Sequence, residues 1–288
     1  METVNNQLAN KRGILHDRFH FFELQDYREL HIESHYHDFY KLVVFLSGKG
    51  IYYIDGAAYE LRPWDILLID RDMLHKPEID PVRPYKRIIL WLNPDFVTQL
   101  GEQQTKLAAC FQQSAQKRFH RLRPTEEQIT ILQPLLQQLS AAAHKKAPDD
   151  ELFCRALLTQ LLIVVNRMTA ASPTAQAYAV RNENIGQILH YIDANLAEDL
   201  SVETLATRFF LSKYYLMRKF KQQTGYSLHQ YILQKRLIAA NQRLRSGYSV
   251  MSACLESGFR DYANFARAFK KQFGRTPKNQ KPLTNGKP

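Results

Sequence analysis

The sequence predicts a multidomain α+β protein: an antiparallel β barrel or sandwich carrying a helical hairpin, followed by an all-helical module made of two copies of one helix pair. Three observations predict it. Short aromatic and β-branched runs crowd residues 30–98, divided by turn signals, with no helical period between them. From about residue 103 the apolar residues recur at three- and four-residue spacing. Charge is also segregated: residues 184–288 hold 17 Lys and Arg against 6 Asp and Glu, whereas residues 1–183 hold 22 of each.

Bulk composition narrows the class. A chain of 288 residues has room for about two domains, and 45% hydrophobic with 23% charged residues is a globular balance. No apolar run approaches the roughly 18–20 residues of a membrane span, and LLTQLLIVV (157–165) reads as a buried helix. The first residues lack the apolar core of a secretion signal. Cys110, Cys154 and Cys254 are scattered and odd in number, which suits reduced thiols in a cytoplasmic protein.

In chain order, residues 1–20 read as a polar arm. The β texture follows in HYHDFYKLVVFLSG (35–48), GIYYIDG (50–56), AAYELRP (57–63), WDILLID (64–70) and YKRIILWLN (85–93). SGKG (47–50), Asp55-Gly56 and Pro63 are the turns between them. Segments 103–117, 125–146 and 150–169 then read as helices. The second carries Ile129, Leu132, Leu135, Leu136 and Leu139, and the third Leu152, Leu157, Leu158, Leu161, Leu162 and Val165. A polar loop at 143–151 makes the last two a hairpin. The small, polar stretch ASPTAQAYAVRNE (171–183) reads as a linker, so the expected boundaries are 1–170, 171–183 and 184–288.

Six helices are predicted in the basic module: 184–197, 202–209, 213–223, 227–245, 250–257 and 262–273. Ser201, Ser212, Ser227, Ser249 and Asp261 are the expected N-caps, with Gly225, Gly247 and Gly274 as stops. Two stretches match. SVETLATRFFLSKYYLMRKFKQQTG (201–225) aligns with SVMSACLESGFRDYANFARAFKKQFG (249–274) at an offset of 48 in the first half and 49 in the second. The second copy therefore has the longer bend, by one residue. Ala206 and Cys254 are small enough for close helix crossing, and Phe220 and Phe269 are the expected inner anchors.

A strongly basic, foldable module usually meets a polyanion, with nucleic acid the default. Each pair is a helix-turn-helix candidate, whose second helix lies in the major groove with its first residues toward the base edges. Arg218 and Arg267 are donor pairs for guanine N7 and O6. Lys213, Lys219, Lys221, Arg260, Lys270 and Lys271 suit phosphate, and Tyr214 and Tyr262 a thymine methyl or a sugar. The bland alternative is a helical bundle with solvated basic faces. Duplication together with complete charge segregation argues against it.

Gly258-Phe259-Arg260-Asp261, Phe265, Arg267, Phe269-Lys270-Lys271, Phe273-Gly274 and Pro277 resemble the C-terminal pattern of the AraC-type family of bacterial transcription regulators, a likeness covering about 184–278. The chain departs from that pattern after Pro277, where Asn279-Gln280-Lys281 replaces a Tyr-Arg pair. The resemblance implies base reading by Tyr214, Met217 and Arg218 in one unit and by Tyr262, Ala263, Asn264 and Arg267 in the other. It also implies that helix 227–245 links the units so that they read adjacent major grooves, about 34 Å apart.

Upstream, HYHDFYKLVVFLSGKG (35–50) resembles the first cupin motif, and PWDILLIDRDMLHKP (63–77) the second, ending in His75. In family terms this implies a cupin-like, effector-sensing barrel over residues 25–98 and dimerisation through helices 125–169. Lys41 stands where the cupin pattern has a metal-ligating Glu. In a regular strand it shares a face with His35, His37, Phe39 and Val43, adding positive charge where a cation would sit. No metal and no cofactor is therefore expected. His35, His37, Lys41, Trp64 and His75 are the candidate effector-binding residues, suited to a carboxylate, a phosphate or a polyol, with Tyr40, Tyr52, Tyr53 and Trp64 available to stack on a sugar. Histidines serving only as hydrogen-bonded wall residues remain an alternative. No nucleophile and base constellation, Gly-rich phosphate loop or Cys-x-x-Cys pair supports an enzyme.

The expected function is effector-modulated transcription regulation, the effector being a sugar or sugar-derived metabolite. The expected partners are double-stranded promoter DNA, a small sugar or organic acid, a second copy of the chain and, for an activator, RNA polymerase, with no membrane. A constitutive regulator with an empty barrel and a cupin metalloenzyme are the rival readings.

Overall fold

The computed structural model describes residues 15–27, 32–101, 106–143, 148–171 and 183–280. The chain divides into two compact units, residues 1–179 and 180–288. The expected linker lies outside the described residues from 172 to 182, as do residues 1–14 of the expected arm and Lys281.

The first unit is built on two antiparallel sheets. The five-stranded sheet runs in the order β1 (Phe19–Asp26), β7 (Tyr85–Leu92), β2 (Tyr40–Ser47), β5 (Ile66–Ile69), β8 (Arg121–Leu122). The three-stranded sheet runs β4 (Ala57–Glu60), β3 (Gly50–Ile54), β6 (His75–Ile79). β3 and β4 meet at Asp55-Gly56, where φ values of 47° and 85° make the tight hairpin that this dipeptide favours.

Alternation along the strands builds two cores. Leu42, Val44, Ile66, Leu68, Ile88, Leu90 and Leu92 face the helices α1 (Pro94–Leu100), α2 (Ala109–Gln116), α3 (Glu126–Ala142) and α4 (Pro148–Ala171). The residues between them, Phe39, Val43, Leu67, Ile69, Ile89 and Trp91, pack with Tyr52, Ile54 and Tyr59 of the smaller sheet. Thr125 caps α3 in a reciprocal capping box with Gln128.

Three expectations change here. The arm gives way to β1 from Phe19, paired along its length with β7. The helical segment expected from residue 103 begins at Ala109, with residues 102–105 outside those described. Among the described residues, Asp149–Ala171 is long and apolar enough to cross a membrane, at a mean hydropathy of 1.3. That helix opens on Asp149, Asp150 and Glu151, and its Leu157, Leu158, Leu161, Leu162 and Val165 are core residues of this unit.

The second unit is helical: α5 (Glu183–Ala194), α6 (Val202–Arg208), α7 (Lys213–Thr224), α8 (Leu228–Arg245), α9 (Val250–Glu256) and α10 (Tyr262–Phe273), closed by a 3-10 turn at Pro277–Asn279. Local chemistry accounts for the boundaries. Ser201, Ser212, Ser227, Ser249 and Asp261 each accept a backbone N–H from the first turn of the following helix. Gly225 and Gly274 end α7 and α10 in the left-handed conformation. Phe220 and Phe269 are fully buried, Phe220 edge-on to Tyr231 at 5.5 Å and Phe269 among Leu237, Ala240, Cys254 and Phe265.

Candidate functional site

Two constellations carry chemistry, one in each unit. In the second unit, α6 and α7 form one helix-turn-helix and α9 and α10 the other. The bends share a backbone path. Leu211 donates its N–H to the Ala206 carbonyl, as Phe259 does to that of Cys254, 48 positions on. Both bends contain a left-handed residue, Phe210 at φ 54° and Gly258 at φ 86°. The first bend has four residues between its helices and the second five, which is the offset change expected from the sequence.

With the Phe anchors turned inward, the outer faces of α7 and α10 present the predicted readers. Tyr214, Met217 and Arg218 are exposed on α7, and Tyr262, Ala263, Asn264 and Arg267 on α10. Each arginine lies back along its own helix. Arg218 sits over the Tyr214 ring at 5.8 Å, and Arg267 donates to Asn264 Oδ1 at 2.5 Å and to the Ala263 carbonyl at 3.4 Å. Arg218 thus groups with Tyr214 on α7, and Arg267 with Ala263 and Asn264 on α10. Among the expected phosphate contacts, Lys221, Arg260, Lys270 and Lys271 are exposed. Lys219 bonds Gln222, and Lys213 bonds Glu203 of the preceding helix.

In the first unit, His35, His37, Lys41 and His75 come together between the sheets. A backbone bridge pairs His35 with His75. The His75 ring lies 4.3 Å from that of His35 and 4.8 Å from that of His37. Each imidazole has Nδ1 on a main-chain carbonyl: His35 on Glu33 at 2.9 Å, His37 on Phe39 at 2.8 Å and His75 on Met73 at 2.9 Å. Those bonds place the proton on Nδ1 and leave Nε2 an acceptor. Lys41 Nζ reaches His75 Nε2 and the Tyr52 hydroxyl, each at 3.2 Å. Nε2 of His37 is buried without a hydrogen-bond partner among the described residues.

Electrostatics follow from burial. Lys41 is pushed down to about 7, first by burial and then by the Arg87 charge, and no carboxylate pairs with it among the described residues. His37 and His75 are held well below the usual imidazole range, by burial first and by Lys41 next. Burial thus disfavours the charged forms of His37 and His75 and leaves Lys41 close to half-protonated at neutral pH. Among the described residues no group of three or more His, Cys, Asp or Glu is arranged to hold a metal ion.

Trp64 does not join the cluster. It stands in the bend before β5, at φ 69°, and packs against the helix-facing core. Tyr40 also turns to that core, stacked on Phe111 at 4.8 Å. Tyr53 faces Lys76 across the outer side of the small sheet at 5.1 Å. Of the expected stacking residues only Tyr52 reaches the cluster, because neighbours on a strand face opposite ways. Its hydrogen bond to Lys41 had a sequence signal: in two adjacent sheets, both positions have the inward parity.

A family model described as AraC-like ligand binding domain matches residues 21–162, and one described as helix-turn-helix domain matches residues 205–281. The chain is an AraC-type transcription regulator. It binds DNA through the helix-turn-helix unit and carries an N-terminal ligand-binding domain. Among relatives of this AraC-type chain is the HTH-type transcriptional activator RhaS of Citrobacter koseri, 26% identical over 248 residues, covering 85% of this chain and 86% of its own. RhaS of Escherichia fergusonii is 27% identical over 256 residues with the same coverage, 85% and 86%. Among solved structures, an apo ToxT variant from Vibrio cholerae aligns over 91% of this chain and 96% of its own, at 10% identity and a TM-score of 0.39.

Proposed function

We propose that this regulator answers to a small hydroxyl-rich molecule, a sugar or sugar-derived metabolite, held at His35, His37, Lys41, Tyr52 and His75. One observation carries the reading: buried His37 and His75, with charge disfavoured by burial, present Nε2 as acceptors, and that of His37 has no hydrogen-bond partner among the described residues. Such an atom costs free energy unless something donates to it, and the hydroxyls of a polyol are donors.

On this reading the exposed Ile131, Leu152 and Phe153 of α3 and α4 pair two copies of the chain. Tyr214, Met217 and Arg218, with Tyr262, Ala263, Asn264 and Arg267, read promoter bases, and the exposed lysines and Arg260 hold phosphates. The domains run 1–170 and 184–288. The protein works in the cytoplasm without catalysis, and RNA polymerase is its partner if the output is activation. The effector acts by binding two states of the protein with different affinity.

Thermal melting of the full chain with aldoses, polyols and sugar acids tests the effector. A ligand at about a hundred times its Kd adds about 2.7 kcal/mol and raises the melting temperature. His37→Phe should abolish that rise. If no compound raises it, the barrel is a ligand-free dimerisation module.

The pH dependence tests the cluster itself. Lys41 titrates near 7 in the fold and near 10.5 when unfolded, so the unfolded chain binds more protons between those values. The penalty is complete below about 7 and is relieved as pH rises toward 10.5. Lys41→Met removes it. Urea melts should show the wild type gaining about 3 kcal/mol on the variant between pH 7 and pH 9.5. A difference that stays flat with pH would mean that Lys41 is hydrated or paired.

A further inference from the structure

The two reading units are joined covalently by α8, which ends near a left-handed glycine on each side, Gly225 at φ 73° and Gly247 at φ 89°. Gly247 has no atom within 4 Å of where a Cβ would stand. A helix that ends at a joint as open as Gly247 does not by itself fix the angle between what it connects. Packing on α8 holds each unit, through Tyr231 on one side and Leu237, Ala240 and Leu244 on the other. One further contact ties the two helix pairs to each other across the helix.

It centres on Arg236, in the middle of α8. Its guanidinium donates to two main-chain carbonyls of the loop between α5 and α6: Nε to Leu196 at 2.9 Å and an Nη to Glu198 at 2.7 Å. A fork with several fixed donors matches that pair, and a single ammonium does not. Against the same spot lies the bend of the second helix pair. A Cβ on Gly258 would stand 2.0 Å from the Leu196 carbonyl oxygen and 2.7 Å from Arg236 Nε. Gly258 is thus required twice, for its φ of 86° and for this approach. The loop entering the first helix pair, the connecting helix and the bend of the second helix pair converge at one point. The point borders an open groove of about 410 Å³, lined among others by Asp199, Ser201, Phe259, Arg260 and Asp261.

We infer that Arg236 and Gly258 form a clasp that sets the separation and phase of the two recognition helices, making them positioning residues for the operator spacing this regulator accepts. Neither touches a base. Loosening the clasp leaves each helix able to read its own subsite and removes the requirement that the two subsites stand at one distance. A rigid pair of readers rejects a changed spacer because a base pair added between subsites rotates one of them about the duplex axis, whereas a loosely joined pair tolerates it.

The test uses the full chain and the duplex it retains most tightly from a random-sequence pool. That duplex is then remade with one base pair inserted or deleted between its subsites, and with either subsite scrambled. The wild type should lose at least about tenfold on either spacer change, a usual scale for lost simultaneous engagement. Gly258→Ala and Arg236→Ala should bind the original duplex several-fold more weakly, yet bind the three spacer lengths within about twofold to threefold of one another. Their binding to duplexes with one scrambled subsite should match wild type. Arg236→Lys, which keeps charge but not the fork, should fall between, and it serves if Gly258→Ala fails to fold. Variants that keep the full spacer preference, or lose single-subsite binding to the same degree, overturn the inference. A wild type indifferent to spacer length overturns it as well.

Discussion

In the first helix pair the left-handed position of the bend is Phe210, 95% exposed; in the second it is Gly258, buried. The two bends share their hydrogen bonds. A left-handed non-glycine residue costs about 1–2 kcal/mol, so glycine is the easier choice at both. The chain uses it where the Leu196 carbonyl and Arg236 press on the Cα, and carries a phenylalanine where the bend faces outward. Duplication supplied one scaffold twice. The bend of the second copy is built into the rest of the unit, and that of the first is open.

The largest effect tests what the copies share. Phe220→Ala and Phe269→Ala each empty a fully buried anchor and should cost about 3–5 kcal/mol in denaturant melts of the full chain. A cost under about 1 kcal/mol at one of them would mean that the two second helices are not held alike. Next comes the bend. Gly258→Ala, strained and overlapping a carbonyl, should cost about 2 kcal/mol or more, whereas Phe210→Ala keeps the same strain in open space and should lie within about 0.5 kcal/mol of wild type. Equal costs would erase the contrast. The smallest effect is Phe210→Gly, where relief of the left-handed strain is partly offset by a looser unfolded chain. It should raise stability by up to about 1 kcal/mol, and a loss would show that the exposed ring has a partner in solution.

How much was legible in the sequence follows the range of the forces. The helices of the basic unit were legible to within a few residues because their signals are local: Ser201, Ser212 and Asp261 at the starts, Gly225 and Gly274 at the stops. The inward parity of Lys41 was legible because a strand has period two, whereas His35 and His37 lie ahead of β2 and His35 joins the cluster through an isolated bridge to His75. β1 was not, because its pairing with β7 joins Phe19 to Leu92, and FHFFELQD alone reads ambiguously. β6 was missed for a related reason: HKPEI holds a proline and two charges, and becomes a strand only beside β3. Trp64 went astray because it shares the parity of Ile66 and Leu68, which face the helices, and the register that pairs Lys41 with Ile69 is not written in either strand alone. The clasp lay beyond reach, since nothing near Gly258 in sequence announces Leu196 or Arg236.

The central claim is that one chain carries two recognition helices that read different bases. The most direct measurement is the base preference of the full chain at every operator position, compared among wild type, Arg218→Ala and Arg267→Ala. Each variant should lose about 1–3 kcal/mol of specific binding and relax its preference at its own positions, with the two sets distinct. Uniform weakening at every position, or relaxation of the same positions by both variants, would contradict it.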